Sequence, residues 1–335
     1  MRFKNIFFAA AAAMALTACS SDDEQQSFVS QFPEDGVMRF TTNLVDPTIA
    51  TTRASITGSD VNQNGQQFQV KIVNPTSATY SYFNTVQYDG TEWIPYARML
   101  WQNNTQAITV TAAYKQDKTF SDYDFIVGAN LTVAADQSTE AKLKQQDLLT
   151  MPTKTIANPS IEQTLMQNGK LVINFYHALT KLDVTLELKD EFYPANIQAS
   201  DITEFTIKGT NAGYQFKAME TANENYGTVT VTASTPADIL ANQCAFTAAT
   251  DADMHSHATY EAIVVPQTIA AGALTVSFKI GTRSFSWTNT EAITLEQGKH
   301  YTLPLTVGYD TVTLNARAFN ASSWEDQPGD NLGTE

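Results

Sequence analysis

Leu182, Val184, Leu186 and Leu188 alternate with Asp183, Thr185, Glu187 and Lys189, and Leu274, Val276, Phe278 and Ile280 alternate with Thr275, Ser277 and Lys279. A period of two sends alternate side chains to opposite faces of an extended backbone, so these stretches bury their apolar residues as strands. Shorter versions recur at Phe68, Val70 and Ile72, at Ile108 and Val110, at Phe205 and Ile207, and at Val229 and Val231. Asp89-Gly90, between Val86-Gln87-Tyr88 and Glu92-Trp93-Ile94, has the residues of a tight hairpin. Helical signals are few: Ser138 to Gln146, capped by Ser or Thr ahead of Glu140, and Pro236 to Asn242, with proline in a first-turn position. Many short strands punctuated by Gly, Pro, Asn and Asp predict an all-β chain built of sandwiches. Its 335 residues suffice for two domains. The aperiodic polar stretch 152–169 places the boundary, giving domains over 37–160 and 165–335.

The N-terminus reads as a secretory signal over residues 1–18: Arg2 and Lys4, an apolar run from Ile6 to Leu16, then Thr17 and Ala18. That run is half the roughly 20 residues a spanning helix needs, and it gives way to Ser20-Ser21-Asp22-Asp23-Glu24, so it does not predict a retained anchor helix. Leu16-Thr17-Ala18-Cys19 resembles the bacterial lipobox, which implies cleavage before Cys19 and acylation of it. Residues 19–36 then form an acidic tether, similar to a surface-export tag. Removing Arg2 and Lys4 leaves 18 basic against 35 acidic residues and takes the net charge from −15 to −17. Such a chain repels nucleic acid. Cys244 is the only cysteine besides Cys19, so no internal disulfide is expected.

Several stretches together resemble the fimbrillin family, in order along the chain: "MRFTTNL" and "TTRAS", "LWQNNTQAITVTAAY", "QQDLLT", "LVINFYHALTKLDVTLEL", "AIVVPQTIAAGALTVSFKI" and "LEQGKHYTLPLTV". The resemblance implies two transthyretin-like β-sandwich domains in tandem and a non-enzymatic subunit of a cell-surface fimbria (pilus) acting in adhesion. It implies an outer-membrane lipoprotein precursor whose partners are other fimbrial subunits and an arginine-specific protease. That protease would cut between Arg53 and Ala54, removing the first strand so that a strand of another subunit fills the groove. Met38, Phe40 and Leu44 share one parity, so residues 37–45 can supply that first strand's apolar face. Val312, Leu314, Ala316 and Ala318 alternate in the same way and read either as the donor strand or as the last strand of the second sandwich. The tail after Trp324 is polar and contains Pro328 and Gly329, which excludes it as a core-filling strand.

Other constellations carry less. Asp251, Asp253, His255 and His257 alternate in "DADMHSH"; Asp253, His255 and His257 are candidate metal ligands that need a third-party donor, against a solvated loop. His177 has the parity of Leu171, Ile173 and Phe175, which predicts a core-facing or edge histidine bonded to backbone, while His300 follows a turn at Gly298-Lys299. Cys244, beside Ala245 and Phe246, reads as a small buried hydrophobe. Hydrolase, phosphate-loop and calcium-loop motifs are absent, and nothing in the sequence calls for a cofactor. The aromatic stretch from Tyr80 to Trp101 is read as cross-strand packing. Its alternative is a glycan platform centred on Trp93 and Trp101, which would make the chain a monomeric glycan-binding lipoprotein.

Overall fold

The computed structural model describes residues 30–45, 56–221, 227–232, 236–315 and 319–323. Short strands account for most of them. The first nine are β1 (Phe40–Leu44), β2 (Gln67–Val73), β3 (Tyr82–Tyr88), β4 (Trp93–Pro95), β5 (Ile108–Tyr114), β6 (Ala129–Thr132), β7 (Leu149–Ile156), β8 (Met166–Gln167) and β9 (Lys170–His177). Three short helices interrupt them, α1 (Gly58–Val61), α2 (Asp122–Ile126) and α3 (Glu140–Lys144). α3 lies inside the helix expected at 138–146. The Asp89-Gly90 hairpin forms between β3 and β4, with Gly90 at φ +99°, where a side chain would be strained.

The first sheet runs β1-β4-β3-β2-β5-β7-β9-β8, and β1 also pairs with β9, so seven strands close into a ring. The ring has two thin seams. β7 meets β9 at only two pairs, Leu149↔His177 and Thr150↔Tyr176, and β1 meets β4 at one, Phe40↔Trp93. Between these seams β4-β3-β2-β5-β7 form one layer and β1-β9-β8 the other, with Phe68, Val70, Ile72, Val110, Ile173 and Phe175 fully buried between them. β1 runs parallel to β9 through five pairs, from Phe40↔Leu171 to Leu44↔Phe175.

The remaining strands are β10 (Thr180–Leu188), β11 (Ile202–Asn211), β12 (Gly213–Thr221), β13 (Gly227–Val231), β14 (Pro236–Leu240), β15 (Asn242–Thr247), β16 (Ser256–Val264), β17 (Gln267–Ile269), β18 (Thr275–Ile280), β19 (Arg283–Thr288), β20 (Ile293–Leu295), β21 (Lys299–Val307), β22 (Val312–Leu314) and β23 (Asn320–Ser323). They form sheets β15-β16-β10-β21-β22, with β23 also on β21, and β14-β11-β18-β19, with smaller pieces β13-β12-β6 and β17-β20. The alternation that predicted β10 is realised: Leu182, Val184, Leu186 and Leu188 are buried in a second core. Strands cross between the two halves of the chain. β9 follows the boundary expected at 160–165 and completes the first layer pair, whereas β6 precedes it and pairs with β12.

One element differs in kind. Residues 236–240, expected to start a helix, are strand β14, paired with β11 through Asn211↔Pro236 and Ile207↔Ile239. Proline suits the first residue of an edge strand as well as the first turn of a helix, because neither position needs its N–H. The burial of Ile239 in the second core decides between them.

Candidate functional site

The first strand is the element with chemical consequence. Met38 and Phe40 are 1% and 2% exposed and Leu44 packs beside them, so the predicted apolar face of 37–45 is the face that enters the first core. Phe68 on β2 touches the rings of Phe40 on β1, Trp93 on β4 and Phe175 on β9, at centroid distances of 6.1, 4.8 and 5.6 Å. A single phenyl group thus sits under all three strands that meet at the β1 seam.

β1 is held unevenly. Toward β9 it has its full ladder, extended by the Val45 N–H donating to the Phe175 carbonyl at 2.9 Å. Toward β4 contact resumes only at Val37↔Leu100, because the chain detours through 94–99 to follow β3. The detour leaves a cavity of about 260 Å³ beside Met38, Phe40, Trp93, Pro95, Arg98 and Met99.

Further along the chain, beyond Arg53, Ile56 is 1% exposed. Its N–H donates to Asp147 Oδ2 at 3.3 Å, and the same oxygen lies 2.8 Å from His177 Nδ1 at the end of β9. Thr57 caps α1 in a reciprocal box with Asp60, whose carboxylate meets Lys144 Nζ of α3 at 3.0 Å. Asn62 closes the turn: its Oδ1 accepts from Thr42 Oγ1 of β1 at 2.9 Å and from Trp93 Nε1 of β4 at 3.0 Å. Burial raises the Asp60 carboxyl, but hydrogen bonds from Thr57 and the Lys144 ammonium outweigh it and hold the group below the ordinary carboxylate value. A lowered folded-state value means that the stabilisation is present above the ordinary carboxylate range and is lost as pH falls through the lowered one. Melting temperatures of the wild type and of Asp60→Asn are therefore expected to converge below about pH 4, and a constant gap down to acid pH would contradict this assignment.

At the other end of the chain, β22 and β23 both pair antiparallel with β21. Val312 packs on the second core and Leu314 is 40% exposed. The ladder breaks opposite Pro304: its carbonyl accepts from the Asn315 N–H at 2.9 Å, and proline has no N–H to return. Ala316 and Ala318 of the candidate donor strand lie outside the described residues, as do Cys19, Arg53, Ala54 and Trp324.

Several sequence candidates resolve differently. Trp93 and Trp101, the expected glycan platform, are each 5% exposed and belong to the first core, so they offer no face to a sugar ring. The residues after the DG turn re-enter the sheet at Trp93, and Phe68 and Tyr88 pack against it with tilted rings. Asp253, His255 and His257 are exposed; His255 Nδ1 lies 3.0 Å from Glu187 Oε1 and His257 Nε2 3.5 Å from Asp253 Oδ2. Asp251 instead meets the Tyr193 hydroxyl, and among the described residues no three such groups assemble around a common point. His177 is core-facing, and its Nδ1 lies 2.8 Å from Asp147 Oδ2. His300 is on strand β21, 2% exposed, 2.8 Å from Asp183 Oδ2. Cys244 is half-buried, and burial pushes its thiol well up, with Glu261 and Asp183 adding to it, which disfavours the thiolate. Asn62 and Asp147 had no sequence signal, and Phe68 only that of a buried strand residue: each acquires its role from partners distant along the chain.

The comparisons with known proteins agree with this architecture. The sequence model described as fimbrillin-like matches residues 52–324. A comparison with curated protein sequences gives no match. Among solved structures, a candidate cell adhesion protein of Bacteroides ovatus superposes with a TM-score of 0.57 at 13% identity, covering 87% of this chain and 98% of that one. A candidate cell adhesion protein of Bacteroides uniformis superposes with a TM-score of 0.53 at 16% identity, over 87% and 99%. Likeness at such identities speaks to fold alone; the match over 52–324 is what establishes that this chain belongs to the fimbrillin-like family.

Proposed function

We propose that this chain is a subunit of a cell-surface fimbria, exported as a lipoprotein acylated at Cys19 and assembled by replacement of its first strand. Cleavage between Arg53 and Ala54 by an arginine-specific protease severs β1 from the body, and an extended strand of another subunit takes its place. The observation that carries this reading is the position of β1. Among the described residues it is the one strand joining β4 to β9, its apolar face enters the first core, and it precedes Arg53 in the chain. Its loss leaves an apolar slot with unpaired backbone on both sides, the arrangement that strand addition satisfies.

The edge formed by Val312–Leu314 and Asn320–Ser323 is the donor, since among the described residues it comes last and is hydrogen-bonded to β21 alone, through a ladder interrupted after Pro304. The body comprises two transthyretin-like sandwiches, with the division near Ala178 where β9 gives way to β10. Adhesion, the role suggested for the similar Bacteroides proteins, is the task of the assembled fibre.

Treating the purified full chain with an arginine-specific protease is expected to produce an N-terminus at Ala54 and a ladder of SDS-resistant oligomers that collapses on boiling, because strand-complemented sandwiches unfold slowly. Cleaved protein that stays monomeric at high concentration would reject strand replacement as its mode of assembly.

A further inference from the structure

The segment Ile56–Asn62 touches both rails of the β1 slot without belonging to either. At one end the Ile56 N–H and His177 Nδ1 converge on Asp147 Oδ2, tying the segment to the end of β9. At the other end Asn62 Oδ1 receives Trp93 Nε1, tying it to β4. Between them α1 is fixed by its capping box, by Asp60–Lys144 and by the burial of Val61, and the Asn62 side-chain amide donates back to the Gly58 carbonyl at 3.0 Å. None of the hydrogen bonds and ion pairs just named involves β1, although Ile56 and Val61 share the first core with Met38 and Phe40. The one hydrogen bond the segment is seen to make to β1 is from the Thr42 hydroxyl, at 2.9 Å from Asn62 Oδ1.

We infer that Ile56–Asn62 is a strut that keeps β4 and β9 one strand apart after β1 has gone, and that Asn62 reads a hydroxyl at the Thr42 position of whatever strand enters. The inference rests on the strand-replacement reading above. Its physical basis is that, among the described residues, sheet pairing across the β4–β9 gap runs through β1, at one pair on the β4 side, with the exposed Lys170–Glu92 ion pair at 3.4 Å the direct side-chain link. Without a second connection the two layers would close over the exposed apolar face of Phe68 and Phe175, and an incoming strand would first have to prise them apart. A preformed slot removes that reorganisation cost from binding. The ligand is an extended peptide with the apolar parity of Met38, Phe40 and Leu44 and a hydroxyl between the last two.

The test uses the full chain nicked after Arg53, with β1 displaced by dilution in mild denaturant and then a labelled synthetic peptide of residues 37–45 added. Saturable uptake is expected in the wild type. Asn62→Ala is expected to weaken it roughly three- to tenfold, the worth of one hydrogen bond, and Asp147→Asn to slow it. The deciding measurement is the cycle: a peptide carrying Thr42→Val should bind the wild type several-fold less tightly than the natural peptide, yet bind Asn62→Ala no less tightly. Equal uptake of both peptides by the wild type and by Asn62→Ala would overturn the strut while leaving strand replacement standing. Absence of uptake in every form, wild type included, would overturn strand replacement itself and the strut with it. Thermal melts of the uncut variants establish folding beforehand, and the peptide substitution supplies the decision even where Asp147→Asn does not fold.

Discussion

Replacing Glu261 with alanine is expected to destabilise the protein by about 3–5 kcal/mol, the loss that follows when one partner of a buried ion pair is removed and the other is left in place. Lys181 is fully buried and Glu261 is 1% exposed, with Nζ 2.6 Å from Oε1 and Asp183 Oδ1 3.6 Å from the same nitrogen. The pair joins β10 to β16 inside the sheet β15-β16-β10-β21-β22. In Glu261→Ala the Lys181 ammonium loses its short ion pair and keeps the longer contact to Asp183 in surroundings that hydrate it poorly. Urea denaturation measures the effect, and the double variant Lys181→Met/Glu261→Leu should recover most of the loss, because apolar replacements of similar volume need no compensation. A Glu261→Ala loss below about 1 kcal/mol would show that Lys181 does not depend on this carboxylate.

Phe40→Ala is expected to behave differently in two forms of the same protein. In the uncut chain it should cost about 3–5 kcal/mol, since it removes a phenyl group 2% exposed against Phe68 and leaves a cavity in the first core. In the chain cut after Arg53 and freed of its first strand it should cost nothing, because the residue is no longer there. Phe68→Ala should cost a similar amount in both forms, since Trp93 and Phe175 remain its neighbours. Denaturation followed by tryptophan fluorescence before and after cleavage measures both. An equal Phe40→Ala cost in the two forms would mean that β1 stays in its slot after the chain is cut.

Much of the architecture was legible along the chain. The period of two located β2, β5, β10 and β18, and parity alone assigned Met38, Phe40 and Leu44 to a buried face. Capping chemistry at Thr139 located α3 within residues 138–146. Pro236 misled because a proline without a required N–H is compatible with two kinds of element, and the choice depends on what Ile239 packs against. Trp93 and Trp101 were legible as aromatic residues of a sheet, but which side of the sheet they occupy depends on where the hairpin folds back over Phe68.

The sequence by itself determined the class of structure and the family, because alternation, turn residues and the order of short motifs are local properties that any stretch carries with it. Tertiary structure decided how the strands close. β1 pairs with Leu171–Phe175, far along the chain, β6 pairs across the middle of the chain with β12, and the Asp147–His177 pair forms where two distant segments meet. Each strand exposes two hydrogen-bonding edges of the same chemistry, so its own residues do not name the edge it will join. That choice follows from which apolar faces can be buried together, and it is what makes β1 the strand that joins the two layers around the first core.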